Sequence, residues 1–191
     1  MHYPEQPLEP TTDNDYVKEL KCLSDSNFEI LENNSSLTSL LNRTNNYMKL
    51  IKICSFNFRF FRIIRNKERV SGPVSLEERK GAELKLIREV QKGEFYSDIE
   101  SLKRDSQVPR RSKLKSLNPF IDNDGILRVG SRLAQSQVSY DCKYPIILPA
   151  RHRLTYLIMY YYHLKYLHLG PEALLSTVRQ KFWPIRRQES C

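Results

Sequence analysis

Two histidines near the end of the chain are the residues with the clearest capacity for chemistry. His163 and His168 stand at the end of an apolar, tyrosine-rich helical run, and Gly170-Pro171 follows them. Neutral imidazoles are common ligands of structural zinc, which takes four ligands in a tetrahedron. The pair predicts half of a zinc site. A Cys-x-x-Cys pair to complete it is missing, and Cys191 is the one further His or Cys that follows.

The five-residue spacing of the histidines sets a condition on the backbone. Residues i and i+5 lie about 140° apart around an ideal helix. A shared metal therefore requires the helix to end or unwind before His168, and Gly170-Pro171 indicates such an end. In the alternative, His163 packs or hydrogen-bonds as an ordinary histidine and His168 caps the helix. The residues alone leave both interpretations open.

The charge distribution favours an anionic partner. The chain has 31 Lys and Arg against 22 Asp and Glu, a net charge of +9. Residues 1–36 have a net charge of −6 and the remainder +15. A basic body of this kind predicts binding to a polyanion, most simply nucleic acid, although a surface that only maintains solubility is the alternative. The residues predicted to contact nucleic acid are Arg110, Arg111, Lys113, Lys115, Arg151, Arg153, Arg179, Lys181, Arg186 and Arg187.

The hydrophobic pattern predicts an α+β fold. It has a mostly helical N-terminal half, a small β-hairpin or three-strand unit, and a two-helix module that holds the incomplete zinc site. The predicted segments are an acidic, largely disordered leader (1–36), a helical region (37–104), a basic linker (105–118), the β-hairpin unit (119–150) and the C-terminal module (151–191).

Local signals place the predicted elements. One long helix is expected over residues 39–66, and Ser75 with Glu78 forms a capping-box signature that opens the next helix. Asp124-Gly125 is typical of a hairpin turn, and residues 144–148 read as a third strand. The last helix is expected to include Phe182 and to stop at Pro184.

The sequence lacks the patterns of an enzyme. It has no Gly-rich phosphate loop, no G-x-S-x-G and no H-E-x-x-H, so no catalytic residue is predicted. Asp122 and Asp124 suit turn geometry, and Cys54 lies in an apolar helix where a core position is expected.

A membrane-spanning segment is also not expected. The most apolar run, residues 48–64, contains four basic residues, and each would cost about 2.5–3.5 kcal/mol at a bilayer centre. The polar, proline-rich N-terminus has no apolar signal core, so an intracellular protein is predicted.

A series of motifs resembles one known family. The motifs are LNPFID (117–122), DGILRVGSRL (124–133), YPIILP (144–149), HLKYLHLGP (163–171) and LSTVRQKFWPIR (175–186). In this order they resemble BEL/Pao-type LTR retrotransposon polyproteins, from the connection region into the zinc-binding (HHCC-type) domain of integrase. The upstream segments FRIIRN (61–66) and GPVSLEE (72–78) resemble the helical connection region of the same polyproteins.

The resemblance implies a role in DNA integration without catalysis. His163 and His168 match the two zinc-binding histidines of the family, whereas its Cys-x-x-Cys would follow beyond Cys191. The acidic catalytic core of integrase would also lie downstream. The chain is thus expected to be a polyprotein fragment that binds nucleic acid, most simply DNA. Zinc is the implied cofactor, and a nuclear location is expected. Self-association through the helices of the chain is a further expectation. The alternative is a protein-interaction or vestigial product of a decayed retroelement without a selected activity.

Overall fold

The fold is mixed α+β, as predicted. The computed structural model describes residues 34–67, 70–130 and 137–185, with helices packed on a small four-stranded sheet. The predicted leader, apart from residues 34–36, lies outside the described residues. Cys191, Arg186 and Arg187 also lie outside them.

Within residues 34–105, the structure describes four helices in the N-terminal half. They are α1 (Asn34–Arg43), α2 (Tyr47–Asn66), α3 (Leu76–Glu94) and α4 (Tyr96–Asp105). The prediction of one helix over residues 39–66 is wrong, because Asn46 interrupts it with extended backbone. Its side-chain oxygen accepts a hydrogen bond from the Lys49 amide at 2.9 Å and caps α2. Asparagine is favoured at this position because the short amide can bond a free amide of the first turn.

The capping box at the start of α3 is confirmed. The Glu78 amide donates to the Ser75 hydroxyl at 3.1 Å, and the Ser75 amide donates to the Glu78 carboxylate at 2.9 Å. The Glu78 carboxylate also accepts hydrogen bonds from Arg59 and Arg62 of α2. Arg59 donates a further hydrogen bond to the Gly72 carbonyl at 2.6 Å. The box therefore also ties α2 to α3.

The second half of the chain alternates short helices and strands. A 3-10 helix (Lys113–Leu117) comes first, followed by β1 (Phe120–Ile121), β2 (Leu127–Arg128), α5 (Tyr140–Lys143), β3 (Ile146–Pro149), α6 (Arg153–Lys165), α7 (Pro171–Arg179) and β4 (Phe182–Ile185). The strands lie in the order β1-β2-β3-β4, with β3 and β4 parallel and the other pairs antiparallel.

The fourth strand differs from the prediction. Phe182 was expected at the end of the last helix, but α7 ends at Arg179 and Phe182 pairs with Ile146 of β3. Pro184 is compatible with this strand because β4 is the last strand in the described order, and proline is tolerated at a sheet edge. The sheet therefore joins the predicted hairpin unit to the end of the C-terminal module.

The core lies on both sides of β3. All four residues of β3 are buried, as expected for a short continuous apolar run at the centre of a sheet. Ile146 and Leu148 pack with α2, α3, α6 and α7, whereas Ile147 packs with α4 and the 3-10 helix. Buried Gln91 of α3 fixes the sheet by donating to the carbonyls of Leu127 and Ile147 at 2.9 and 2.7 Å.

The predicted hairpin turn is present between β1 and β2. The Asp122 carboxylate accepts from the amides of Asp124 and Ile126 at 3.0 and 2.9 Å, and Gly125 has a φ of +74° that favours glycine. Gly130 is required for a close approach, because a Cβ there would lie 2.2 Å from the Asn118 carbonyl oxygen. The turn thus uses its aspartate for geometry.

Candidate metal centre and nucleic-acid interface

The backbone brings the two histidines together. Helix α6 ends at Lys165, so the condition set by the sequence, that the helix ends before His168, is met. Leu167 and His168 have φ values of 55° and 63°, and this left-handed pair turns the chain back on itself. The His168 amide then donates to the His163 carbonyl at 2.8 Å. A separation of five residues becomes a side-chain contact through this turn.

The imidazole rings of the two histidines are in direct contact. His168 Nδ1 lies 3.0 Å from His163 Nε2, and the ring centroids are 4.8 Å apart. His163 Nδ1 lies 3.1 Å from the Leu169 carbonyl oxygen. A carbonyl can only accept, so this contact requires the hydrogen of His163 on Nδ1. The lone pair of a neutral His163 is therefore on Nε2, facing His168.

This arrangement fits two ligands of one zinc ion. Tetrahedral zinc with Zn–N bonds of about 2.0–2.1 Å separates two ligand nitrogens by ~3.3–3.4 Å. The observed separation of 3.0 Å is close to that value. A ligand histidine also commonly donates its other N–H to a backbone carbonyl, as His163 does to Leu169. The same contacts also suit a plain hydrogen bond from His168 to His163, so both predicted interpretations of the pair stay open.

Among the described residues, the two histidines have no further ligand beside them. Within 34–67, 70–130 and 137–185 there is no group of three or more His, Cys, Asp or Glu placed to hold a metal ion. Further ligands would have to come from residues outside these ranges, where Cys191 lies, or from another molecule. Cys54 is no candidate, because it is buried and burial raises the pKa of its thiol to about 11.

Four of the residues predicted to contact nucleic acid form an exposed cluster. Arg110, Arg111, Lys113 and Lys115 are all exposed on the turn and 3-10 helix before β1. Leu114, between the two lysines, is buried against α4 and the sheet and holds this segment in place. No salt bridge joins any of the four to a carboxylate in the part of the chain that the structure describes. Their charges are thus presented to solvent on a fixed backbone.

The other predicted basic residues have more varied surroundings. Arg151 is exposed, Arg153 donates to the Asn45 side chain, and Arg179 lies over the Trp183 ring at 4.7 Å. Lys181 is different, because its ammonium lies 2.8 and 2.9 Å from the two carboxylate oxygens of Glu83. An ammonium already paired in this way is a weaker phosphate ligand than an exposed one. Arg186 and Arg187 cannot be placed with the rest, since they lie outside the described residues.

The cluster around Glu83 was not predicted from any sequence pattern. The Tyr47 hydroxyl of α2 donates to the same carboxylate that binds Lys181. Burial, followed by the charge of Glu83, raises the pKa of Tyr47 well above its ordinary value. Because the partners of Glu83 lie 36 and 98 residues away in sequence, no local spacing could have revealed the cluster. It links α2, α3 and the residue that precedes β4.

Comparison with known proteins adds no relative to this description. No protein-family model matches the chain, and no curated protein and no solved structure matches it. The resemblance to BEL/Pao polyproteins therefore rests on the motifs themselves and stays a prediction. None of the helices within residues 34–67, 70–130 and 137–185 has the length and apolar character that a membrane span requires.

Proposed function

We propose that this chain is a non-catalytic fragment of a retrotransposon polyprotein, similar to the integrase zinc-binding domain, that binds nucleic acid, most simply DNA. The observation that carries the proposal is the His163–His168 contact of 3.0 Å at the end of α6. It supports the proposal because two imidazoles five residues apart meet only if the helix ends before the second one, which is the condition for a shared metal ion. In a complete element, the module would hold DNA ends during integration in the nucleus.

The exposed basic cluster supports the nucleic-acid part of the proposal. Arg110, Arg111, Lys113 and Lys115 lie on a segment fixed by Leu114 and are exposed to solvent. Each phosphate contact made by such a residue releases a counterion on binding, which makes the affinity fall with salt. Cations already paired with carboxylates contribute less to this effect. The cluster is therefore the part of the surface at which duplex DNA is expected to bind.

A salt titration of DNA binding tests the proposal. The double variant Arg110→Gln/Arg111→Gln should reduce the slope of log affinity against log salt by up to ~1.8, or ~0.9 for each lost phosphate contact. The matched control is Arg79→Gln/Lys80→Gln, an adjacent exposed pair of cations on α3, which should leave the slope unchanged. Fluorescence anisotropy with a labelled duplex provides the measurement. Undetectable binding at low salt would remove the DNA-binding function, and equal slopes would remove the cluster from the interface.

Protein binding is the second candidate function, and one surface favours it. The outer face of α2 exposes Met48, Phe56 and Phe60, with 43%, 48% and 39% of their surfaces accessible. Large exposed apolar side chains on one helix face are typical of an interaction site. If this function is the correct one, Phe56→Ser/Phe60→Ser should abolish a concentration-dependent increase in mass measured by sedimentation. A mass that stays monomeric at every concentration would argue against self-association through this face.

A further inference from the structure

The tyrosines of α6 divide into an inner and an outer set. Tyr161 and Tyr162 pack against the core, and burial raises the pKa of Tyr162 to about 12. Tyr156 and Tyr160 instead face solvent, with 56% and 44% of their surfaces accessible. Their rings are parallel to within 6°, and the centroids are 6.1 Å apart. Arg153 lies over the Tyr156 ring at 5.1 Å. The outer face of α6 thus presents two aligned aromatic rings and a guanidinium.

Helix α6 and the two N-terminal helices that pack against it, α1 and α2, contain no acidic residue. Helices α1, α2 and α6 contain eight Lys or Arg residues and no Asp or Glu. Both α1 and α2 pack against α6. Two of the five carboxylates of α3 are paired with cations of other elements, since Glu78 binds Arg59 and Glu83 binds Lys181, whereas Glu94 lies near His152 at the start of α6. The exposed rings therefore lie on a helix that, like α1 and α2 packed against it, carries only basic charged residues.

Arg153 connects the aromatic pair to the cations of α1 and α2. It donates a hydrogen bond to the Asn45 side chain, in the turn between these two helices. Arg43 and Lys49, on either side of this turn, are both exposed. Phosphates of a strand whose bases lie on the tyrosines would find these cations at the N-terminal end of α6. The surface has the two components, aromatic rings and a cationic border, that single-strand-binding grooves combine.

The type of ligand follows from these components. Aromatic side chains gain stacking energy only from bases whose faces are free, and a duplex keeps these faces covered. A protein partner could supply carboxylates to the border cations, but it offers no planar base faces to the two aligned rings. A single strand supplies both free base faces and phosphate charge. Every base has an aromatic face, so little sequence preference is expected.

We propose that the outer face of α6, formed by Arg153, Tyr156 and Tyr160 with Arg43 and Lys49 at its border, binds single-stranded nucleic acid by base stacking. This inference rests on the proposed nucleic-acid function and assigns to it a second surface, separate from the basic cluster before β1. The strand stacks on the two tyrosines while the border cations bind its phosphates. The basic cluster and the α6 face then handle the paired and unpaired parts of the same nucleic acid.

The test compares single strands with duplexes. The full chain is titrated with labelled oligothymidylate, oligouridylate and a duplex of equal length, and anisotropy is measured. In Tyr156→Leu/Tyr160→Leu, both rings are lost, but leucine keeps a good helix former at exposed positions. Stacking by aromatic side chains is worth a factor of ~5 to ~150 for each base. The double variant should therefore lose at least ~10-fold affinity for single strands and keep its affinity for the duplex.

Tyr96→Leu is the matched control. Tyr96 is 67% exposed on α4, a helix that also carries carboxylates, so its loss should change no affinity. Equal single-strand affinities for wild type and the α6 double variant would overturn the inference while leaving duplex binding, and thus the proposed function, intact. Failure of the wild type to bind any oligonucleotide would overturn both. A dimer that the double variant dissociates would show that a second copy occupies the face, and would also overturn the inference.

Discussion

The cluster around Arg128 and the pair His163–His168 are both polar groups in contact, but their surroundings are opposite. The Arg128 and Asp122 side chains are only 4% and 6% accessible, and Arg128 binds Asp122, Asp141 and the Tyr144 carbonyl. His168 is exposed, and its ring has one polar contact among the described residues, with His163. Buried charged groups that all have partners indicate a structural role. Imidazole nitrogens at an exposed turn can still bind a metal ion.

The largest effect is expected from breaking the enclosed cluster. Arg128→Met removes the cation and leaves the Asp122 carboxylate buried, so the free energy of unfolding should fall by about 3–5 kcal/mol. Urea denaturation measures this loss. The exposed Arg79→Met serves as control and should stay within ~0.5 kcal/mol of the wild type. A loss below ~1 kcal/mol for Arg128→Met would mean that water already reaches the cluster, and the contrast with the histidines would disappear.

Much of the fold was predictable because its signals are local. The capping box of Ser75 and Glu78, the Asp124-Gly125 turn and the end of α6 each depend on residues within five positions of one another. Phe182 was misassigned because its spacing of four from Val178 also continues the apolar stripe of a helix. Its pairing with Ile146, 36 residues earlier, decides for a strand, and a local pattern does not contain that contact.

The candidate site divides in the same way. The break that joins His163 to His168 was expected from Gly170-Pro171, and the structure places it as required. The pairing of Lys181 with Glu83 was not expected, because it depends on the packing of α3 against the segment before β4. Sequence spacing thus predicted which side chains can meet within one turn. The pairing of a basic residue with a carboxylate far away in sequence could be seen only in the folded structure.

An intermediate effect is expected at the partly covered carboxylate Glu78. Hydrogen bonds from Arg59, and then from the Ser75 amide, lower its pKa from 4.5 to about 2. The folded protein therefore binds fewer protons here than the unfolded chain. The contribution of Glu78 is fully present above pH 4.5 and is lost as the pH falls towards 2. Glu78→Gln should flatten the acid side of the stability curve over this range.

The control for this prediction is a carboxylate on the surface. Glu100 of α4 is 48% accessible and pairs with Lys103 over one helical turn. Such exposed pairs contribute little, so Glu100→Gln should keep the wild-type acid slope. Stability is measured by urea denaturation at a series of pH values. An unchanged slope in Glu78→Gln would show that the Arg59 bridge is no stronger than an ordinary surface pair, and would place Glu78 with the open groups of the comparison.

The smallest effect on stability is expected at His168. Its substitution is expected to lower the affinity for zinc specifically. Its φ of 63° lies in the left-handed region, which asparagine tolerates better than most residues, and its side chain is exposed. His168→Asn should therefore change the free energy of unfolding by less than ~0.5 kcal/mol. The variant lacks the nitrogen that lies 3.0 Å from His163 Nε2, so zinc affinity should fall at least ~10-fold. Nitrogen chemical shifts of both imidazoles, followed during a zinc titration, report ligation directly. If zinc perturbs His163 equally in the wild type and in His168→Asn, then the two rings do not share a metal, and their contact is a hydrogen bond that only closes the end of α6.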